Sequence, residues 1–445
     1  MTASLTRKLA DFAVDPAYDD LPKPVIHAVR RAILDSVGVS VAGARHPAAR
    51  MLVDMVKGLG TGGRCGIVGS NHRTDAVNAA LANGVAAHVL DWDDTILPTR
   101  AHLSAALLPA LIAESEIQGW TLRQIIPAFA VGFELQARLN HAIYPSVHLR
   151  GWQGTGIAGG AGTAAAIGRM KKLDADRIVH AMGIAATNAS GLIATFGSMS
   201  KPLNIGRAGA SGLQSAYLAS LGYTSNPDIF GSGRFLEMFD DNPRHEILTG
   251  RLGEAWSILE NGYKLYPCGF VAHAMIDAVR DLRVKAGKIG KLKRLRLTVS
   301  PESTHLMGNA DPINELQAKF SLLYDAAVAW NDGHVTPAAF DMPAVRDPRH
   351  RSVMAVTGIT SSATVKQHEA HARAEFEDGS SLSTHIAHAR GTPERPLTDR
   401  DLIDKFDAAM VLGELQGGAE LASLILESED VPVALLMKRV FVGAN

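Results

Sequence analysis

Three carboxylates fall within four residues at Asp91-Trp92-Asp93-Asp94, with Thr95 next and His102 a little further on. Like charges this close repel, so folding must neutralise one or bring partners to them. Carboxylates beside an imidazole can move protons. Asp91 and Asp93 could also begin a site for a hard metal, but the other oxygen ligands it would need are not in evidence, and no metal is expected. The plain alternative is a helix end whose acids are solvated. A second group is Ser198-Met199-Ser200-Lys201-Pro202-Leu203-Asn204-Ile205-Gly206-Arg207. Lys201 is read in a Ser/Gly-rich loop before a proline that can open a helix, and a helix N-terminus favours an anion. Lys201 and Arg207 would add cations there; an ordinary surface lysine is the competing explanation. A third group runs from Tyr263 to His273 and holds Lys264, Tyr266, Cys268 and His273. His273 lies just inside a mostly apolar helix, Phe270 to Leu282, where a satisfied core histidine is the ordinary reading. Cys268 has no paired base in view and makes a weak nucleophile.

Other chemistries find less support. Gly154-Thr155-Gly156-Ile157-Ala158-Gly159 spells the dinucleotide fingerprint. However, HAIYPSVHLRGWQ precedes it instead of a strand, which favours a loop entering a tightly packed Gly/Ala helix. HExxH, CxxC and GxSxG motifs do not occur, so zinc hydrolysis and serine-esterase chemistry have no support. With 44 basic and 45 acidic residues the net charge is -1, which excludes a phosphate backbone as a natural partner. An anionic substrate would be met by local cations instead. Two cysteines make no disulfide framework, and neither a signal peptide nor a run of roughly 18 apolar residues is visible. A cytoplasmic protein with no membrane partner is expected.

The elements that must hold these groups change texture along the chain. Through about residue 260 helical spacing dominates. Val25, Val29, Ile33, Leu34 and Val37 share one helix, read as ending near Gly38, and Ala79 to Leu90, Ala105 to Ile117 and Leu122 to Leu139 repeat the style. Runs such as AGGAGTAAAIG and GRAGASG predict helices that approach one another closely. After Tyr263, KLKRLRLTV alternates as a half-buried strand, Ala318 to Trp330 reads as a helix, and Ala372 to Ile386 reads as a hairpin about Asp378-Gly379. Thr398 with Asp401 resembles a capping box opening a last helical segment through Leu426. The expectation is therefore a large all-helical domain, 1–261 with 396–445, interrupted by a smaller α+β lid domain, 262–395. Clefts form at such junctions, so the active groups are expected there.

LPKPVIHAVRRAILDSVGVSVAG, HVLDWDDT, RGWQGTG, FGSMSKPLNIGRA, YKLYPCGFVAHAMID, QAKFSLLYDAAVAWNDG and GTPERPL, in this order, resemble the MmgE/PrpD family of 2-methylcitrate dehydratases, cis-aconitate decarboxylases and iminodisuccinate epimerase. The resemblance is end to end. It implies a helical body with an α+β lid, a homodimer, and no metal or nucleotide cofactor. It also implies an active site at Asp91, Thr95, His102, Lys201 and His273, with Arg207, Lys264 and Tyr266 as carboxylate binders. Two positions depart from the family pattern. Gln153 and Asn204 stand where the family more often has histidine, and a neutral amide can bind substrate but cannot act as acid or base.

Removing a proton beside a carboxylate builds an ene-diolate, which needs cations and hydrogen-bond donors where the charge appears. Lys201, Arg207 and Lys264 suit that need, and Lys201 becomes a candidate base if burial lowers its pKa. Dehydration also requires an acid for the departing hydroxyl, whereas epimerisation has no leaving group. With Gln153 replacing a candidate acid and held as a substrate contact, the expectation is an epimerase of an iminodisuccinate-like polycarboxylate. The alternatives are a hydro-lyase of the 2-methylcitrate dehydratase type, with His102 or His273 as proton donor, and a noncatalytic polycarboxylate-binding protein.

Overall fold

The computed structural model describes residues 3–287, 290–428 and 430–441. The chain divides into two compact units. The first comprises Met1–Ala194, Ser200–Asn261 and Thr398–Asn445; the second comprises Thr195–Met199 and Gly262–Leu397.

Helices Lys23–Gly43, Ala76–His88, Leu103–Gln118, Leu122–Ile143, Gly154–Met170, Ala175–Thr187 and Ser200–Ser220 build most of the first unit. Their small residues let backbones touch. A Cβ on Gly84 would lie 2.7 Å from the Gly206 Cα, and one on Gly209 would lie 2.2 Å from the Ala106 carbonyl oxygen. Glycine is required at these crossings because any side chain would push the helices apart. The same crossings bring three helix termini close: the last residue of 76–88, the N-cap of 103–118 and the first turn of 200–220. A two-strand ladder, Cys65–Gly66 with Arg73–Thr74, and the short strand Thr95–Ile96 are small β elements of this unit.

Three details correct the sequence reading here. Gly38 does not end its helix, which continues to Gly43; a Cβ there would meet the Phe406 ring at 2.7 Å, so the residue serves packing. The Gly154 to Gly159 stretch is no loop but the opening of the helix itself, where a Gly156 Cβ would meet the Ser190 carbonyl at 2.1 Å. The segment read as one helix through Leu426 is two, Asp399–Leu412 and Gly418–Glu427, with a break between them, and a further short helix, Val433–Lys438, follows. Its opening does carry the capping box, with the Asp401 backbone N–H donating to Thr398 Oγ1 and the Thr398 N–H to Asp401 Oδ2.

In the second unit, helix His273–Ala286 covers a mixed sheet of four strands in spatial order 357–361, 292–299, 370–376, 381–386. The first pair is parallel and the others antiparallel. Leu295, Leu297, Val299, Ala370, Ala372, Ala374 and Phe376 point into its core, while Arg294, Arg296, His371 and Arg373 alternate outward, as a one-sided sheet requires. The hairpin turns at Asp378-Gly379, with Gly379 at φ 84°. Ala318 to Trp330 is not one helix: Glu315–Ala318 stops, and Ser321 caps a new helix, Leu322–Asp332. The chain is thus mostly helical with one small mixed sheet. Among the described residues, no helix is long and apolar enough to cross a membrane.

Candidate active site

The helix 76–88 ends at His88, and the chain turns through Leu90 to Thr95. Asp91 adopts φ 54°, a left-handed conformation that costs a non-glycine residue energy and persists only where surroundings enforce it. One enforcing contact is Lys405, on the returning C-terminal helix, whose Nζ donates to the Trp92 carbonyl at 2.7 Å and to Asp35 at 2.6 Å. None of the three acids is solvated. Asp91 is 3% exposed, and Asp93 and Asp94 are 0% exposed, so the solvated-helix-end reading fails.

Each acid has its own solution to burial. Lys201 Nζ stands 2.8 Å from Asp91 Oδ1 in a buried ion pair. Lys201 is therefore no surface residue, and it belongs to the first turn of the helix Ser200–Ser220 rather than to a loop. Asp93 lies between two imidazoles: His88 Nδ1 at 2.9 Å and His102 Nδ1 at 3.1 Å from its Oδ2. Burial opposes its ionisation, but the two imidazoles hold its carboxyl well below the usual carboxylate range. Burial, helped by repulsion from Lys201 and His102, pushes His88 down to about 4. His88 is thus neutral near pH 7 and donates its Nδ1–H. Asp94 receives hydrogen bonds from Ser104 Oγ and Asn261 Nδ2, yet burial, aided by repulsion from Asp35, raises its pKa to about 8. Asp94 is therefore the acid kept neutral.

His102 is fixed from two sides. Its backbone N–H donates to Thr155 Oγ1 at 2.8 Å, and its Nδ1 faces Asp93 and, at 3.4 Å, the Thr95 hydroxyl. The ring geometry then turns Nε2 the other way. His88, Asp91, Asp93 and His102 offer donor atoms all within 4.8 Å of one another, a richer set for a divalent ion than the acids alone. Here Lys201 engages Asp91, and both imidazoles share Asp93. Gln153 is buried, its Oε1 accepting from Asn204 Nδ2 at 3.0 Å. Its Nε2 has no hydrogen-bond partner among the described residues, leaving donors for a ligand. Arg207 shares the Lys201 helix but is exposed; six residues of helix rotate it about 120° from Lys201.

In the second unit, His273 is fully buried, with Nε2 3.1 Å from the Tyr266 carbonyl and its ring against Tyr266 and Phe270. The Tyr266 hydroxyl donates to Asp277 at 2.6 Å and accepts from Arg280 at 2.6 Å; it is committed to that pair, which weakens its reading as a carboxylate binder. Lys264 is buried. Sequence reasoning passed over His88, although its place at the helix end just before the acids was a signal. It also passed over Arg100, between Thr95 and His102, at φ 54° with its guanidinium 5.8 Å from the Tyr144 ring centroid.

The family models for the MmgE/PrpD N-terminal domain and the MmgE/PrpD C-terminal domain match residues 7–246 and 266–416. The chain belongs to the MmgE/PrpD family. Its similarity to characterised members is distant but long. It is 27% identical to a cis-aconitate decarboxylase of Aspergillus terreus over 97% of this chain and 93% of that protein. Identity is 26% to the cis-aconitate decarboxylase of Mus musculus (92% of this chain, 87% of that protein) and 25% to that of Homo sapiens (92% and 88%). The named MmgE/PrpD relatives are lyases, and both family domains are present here.

Proposed function

We propose that this MmgE/PrpD protein transfers a proton at a carbon beside a carboxylate of a small polycarboxylate, and does so as an epimerase of an iminodisuccinate-like acid. The observation carrying the reading is the buried Asp91–Lys201 pair next to the Asp93–His102 pair, which supplies an ammonium for developing ene-diolate charge and an imidazole for the proton. Gln153 and Asn204 support the choice of epimerisation. Their side chains bond to each other as neutral amides and offer no acid for a departing hydroxyl. The reading needs no nucleotide or metal.

A second reading is a lyase, favoured by the names of the relatives. Loss of CO2 or water uses the same ammonium to hold carboxylate charge, with His102 returning or donating the proton. NMR with separate additions of iminodisuccinate stereoisomers, cis-aconitate and 2-methylcitrate distinguishes them. The proposal expects interconverted iminodisuccinate isomers and unchanged tricarboxylates. Decarboxylated or dehydrated product from the other acids, with iminodisuccinate untouched, would replace it with the lyase. Binding without turnover of any would leave a polycarboxylate-binding protein.

A further inference from the structure

Asp93 has the unusual task of serving two imidazoles at once. His88, at the end of one helix, and His102, at the start of another, both present Nδ1 to it, with ring centroids 4.4 Å apart. All three groups are buried, so none is replaced by water when the other two change. We propose that Asp93 and His88 are positioning residues: Asp93 fixes the proton of neutral His102 on Nδ1, leaving Nε2 for proton exchange, and His88 moderates how strongly Asp93 does so.

A carboxylate accepting Nδ1–H selects that tautomer and stabilises the imidazolium formed when Nε2 takes a proton. A carboxylate that also accepts from a neutral donor has part of its charge already satisfied and stabilises the second imidazolium less. Neutral His88 is that donor, and its Nε2 has no hydrogen-bond partner among the described residues, so Asp93 is its hydrogen-bonded anchor. The other ionisable groups around His102 are the Asp91–Lys201 pair from the turn and the 200–220 helix, and His148, which burial holds at about 4 with Arg100 and His102 opposing its protonation. Lys201, which opposes a positive charge on the neighbouring His88, opposes one on His102 as well, whereas Asp93 at 3.1 Å favours it. The inference rests on the reading that His102 exchanges the substrate proton, but its own observable does not need turnover.

That observable is the 15N spectrum of histidine-labelled protein, with the His102 signals assigned by their loss in His102→Gln. The wild type is expected to show neutral His102 as the Nδ1–H tautomer. Asp93→Asn should lower the His102 titration midpoint by about one pH unit or more and cut kcat by roughly 10–100-fold with KM nearly unchanged. His88→Leu should move the midpoint the opposite way, upward, because Asp93 is then left to His102 alone. General damage to the site would not produce opposite signs. An Nε2–H tautomer in the wild type, or midpoints that stay fixed or move together in the two variants, overturns the proposal. Full activity of His102→Gln with the opposed shifts intact would instead remove the catalytic assignment of His102 and leave the coupling standing.

Discussion

Buried histidines occupy both units, and their surroundings differ in kind. His102 faces a carboxylate that holds charge, beside an ammonium–carboxylate pair, at a junction of helix termini. His273 faces a backbone carbonyl and two aromatic rings. The first arrangement changes energy steeply with each proton, because ions in a low-dielectric interior depend on their partners. The second holds one ring nitrogen against a backbone carbonyl in aromatic surroundings. Both rings are buried; what sets the His102 site apart is that its neighbours also titrate, which is the kind of surrounding that makes a group a candidate for proton transfer.

Variants that keep the fold but remove one side of this contrast test it. Lys201→Ala should give the largest effect, a rate loss on the order of 100-fold or more, with the far-ultraviolet circular dichroism unchanged; a near-normal rate would place the chemistry elsewhere. Tyr266→Phe should do the reverse. Losing the hydroxyl that links Asp277 to Arg280 should cost about 1–3 kcal/mol of stability in denaturant titration while turnover stays within a few-fold. A large rate loss at normal stability would return Tyr266 to the substrate. The third test concerns pH. Asp94 has a folded pKa near 8 against an ordinary value of 3.8, so its contribution to stability is complete below pH 4 and disappears as pH rises through 8. Asp94→Asn cannot ionise, so its Tm relative to wild type should climb between pH 4 and pH 8. A difference that is flat with pH would contradict the neutral Asp94.

The same contrast explains what sequence could and could not reveal. Periodicity identified the long helices because an apolar face imposes its spacing, and the 292–299 strand and the hairpin because alternation and Asp378-Gly379 leave little choice. Gly38 and Gly156 were misread for one reason: a glycine at a helix crossing and a glycine at a helix end look alike until the neighbour, such as Phe406, is known; the 319–321 break was missed because the Ser321 cap sits inside an otherwise helical run. Within the site, the crowding of Asp91, Asp93 and Asp94 announced that partners must exist. It did not say which acid would receive Lys201, which the histidines, and which would keep its proton. Those assignments come from tertiary neighbours such as Lys405, Ser104 and Asn261, drawn from distant segments. Arg207 illustrates the converse, since proximity in sequence to Lys201 put it on a different side of the same helix.

Solvent deuterium uptake measures the central claim directly. With an iminodisuccinate isomer in D2O, the wild type should place deuterium at the carbon beside the carboxylate as isomers interconvert, and both Lys201→Ala and His102→Gln should slow that uptake on the order of 100-fold. Uptake that proceeds at the wild-type rate in both variants would contradict an account in which the Asp91–Lys201 and Asp93–His102 pairs move the proton.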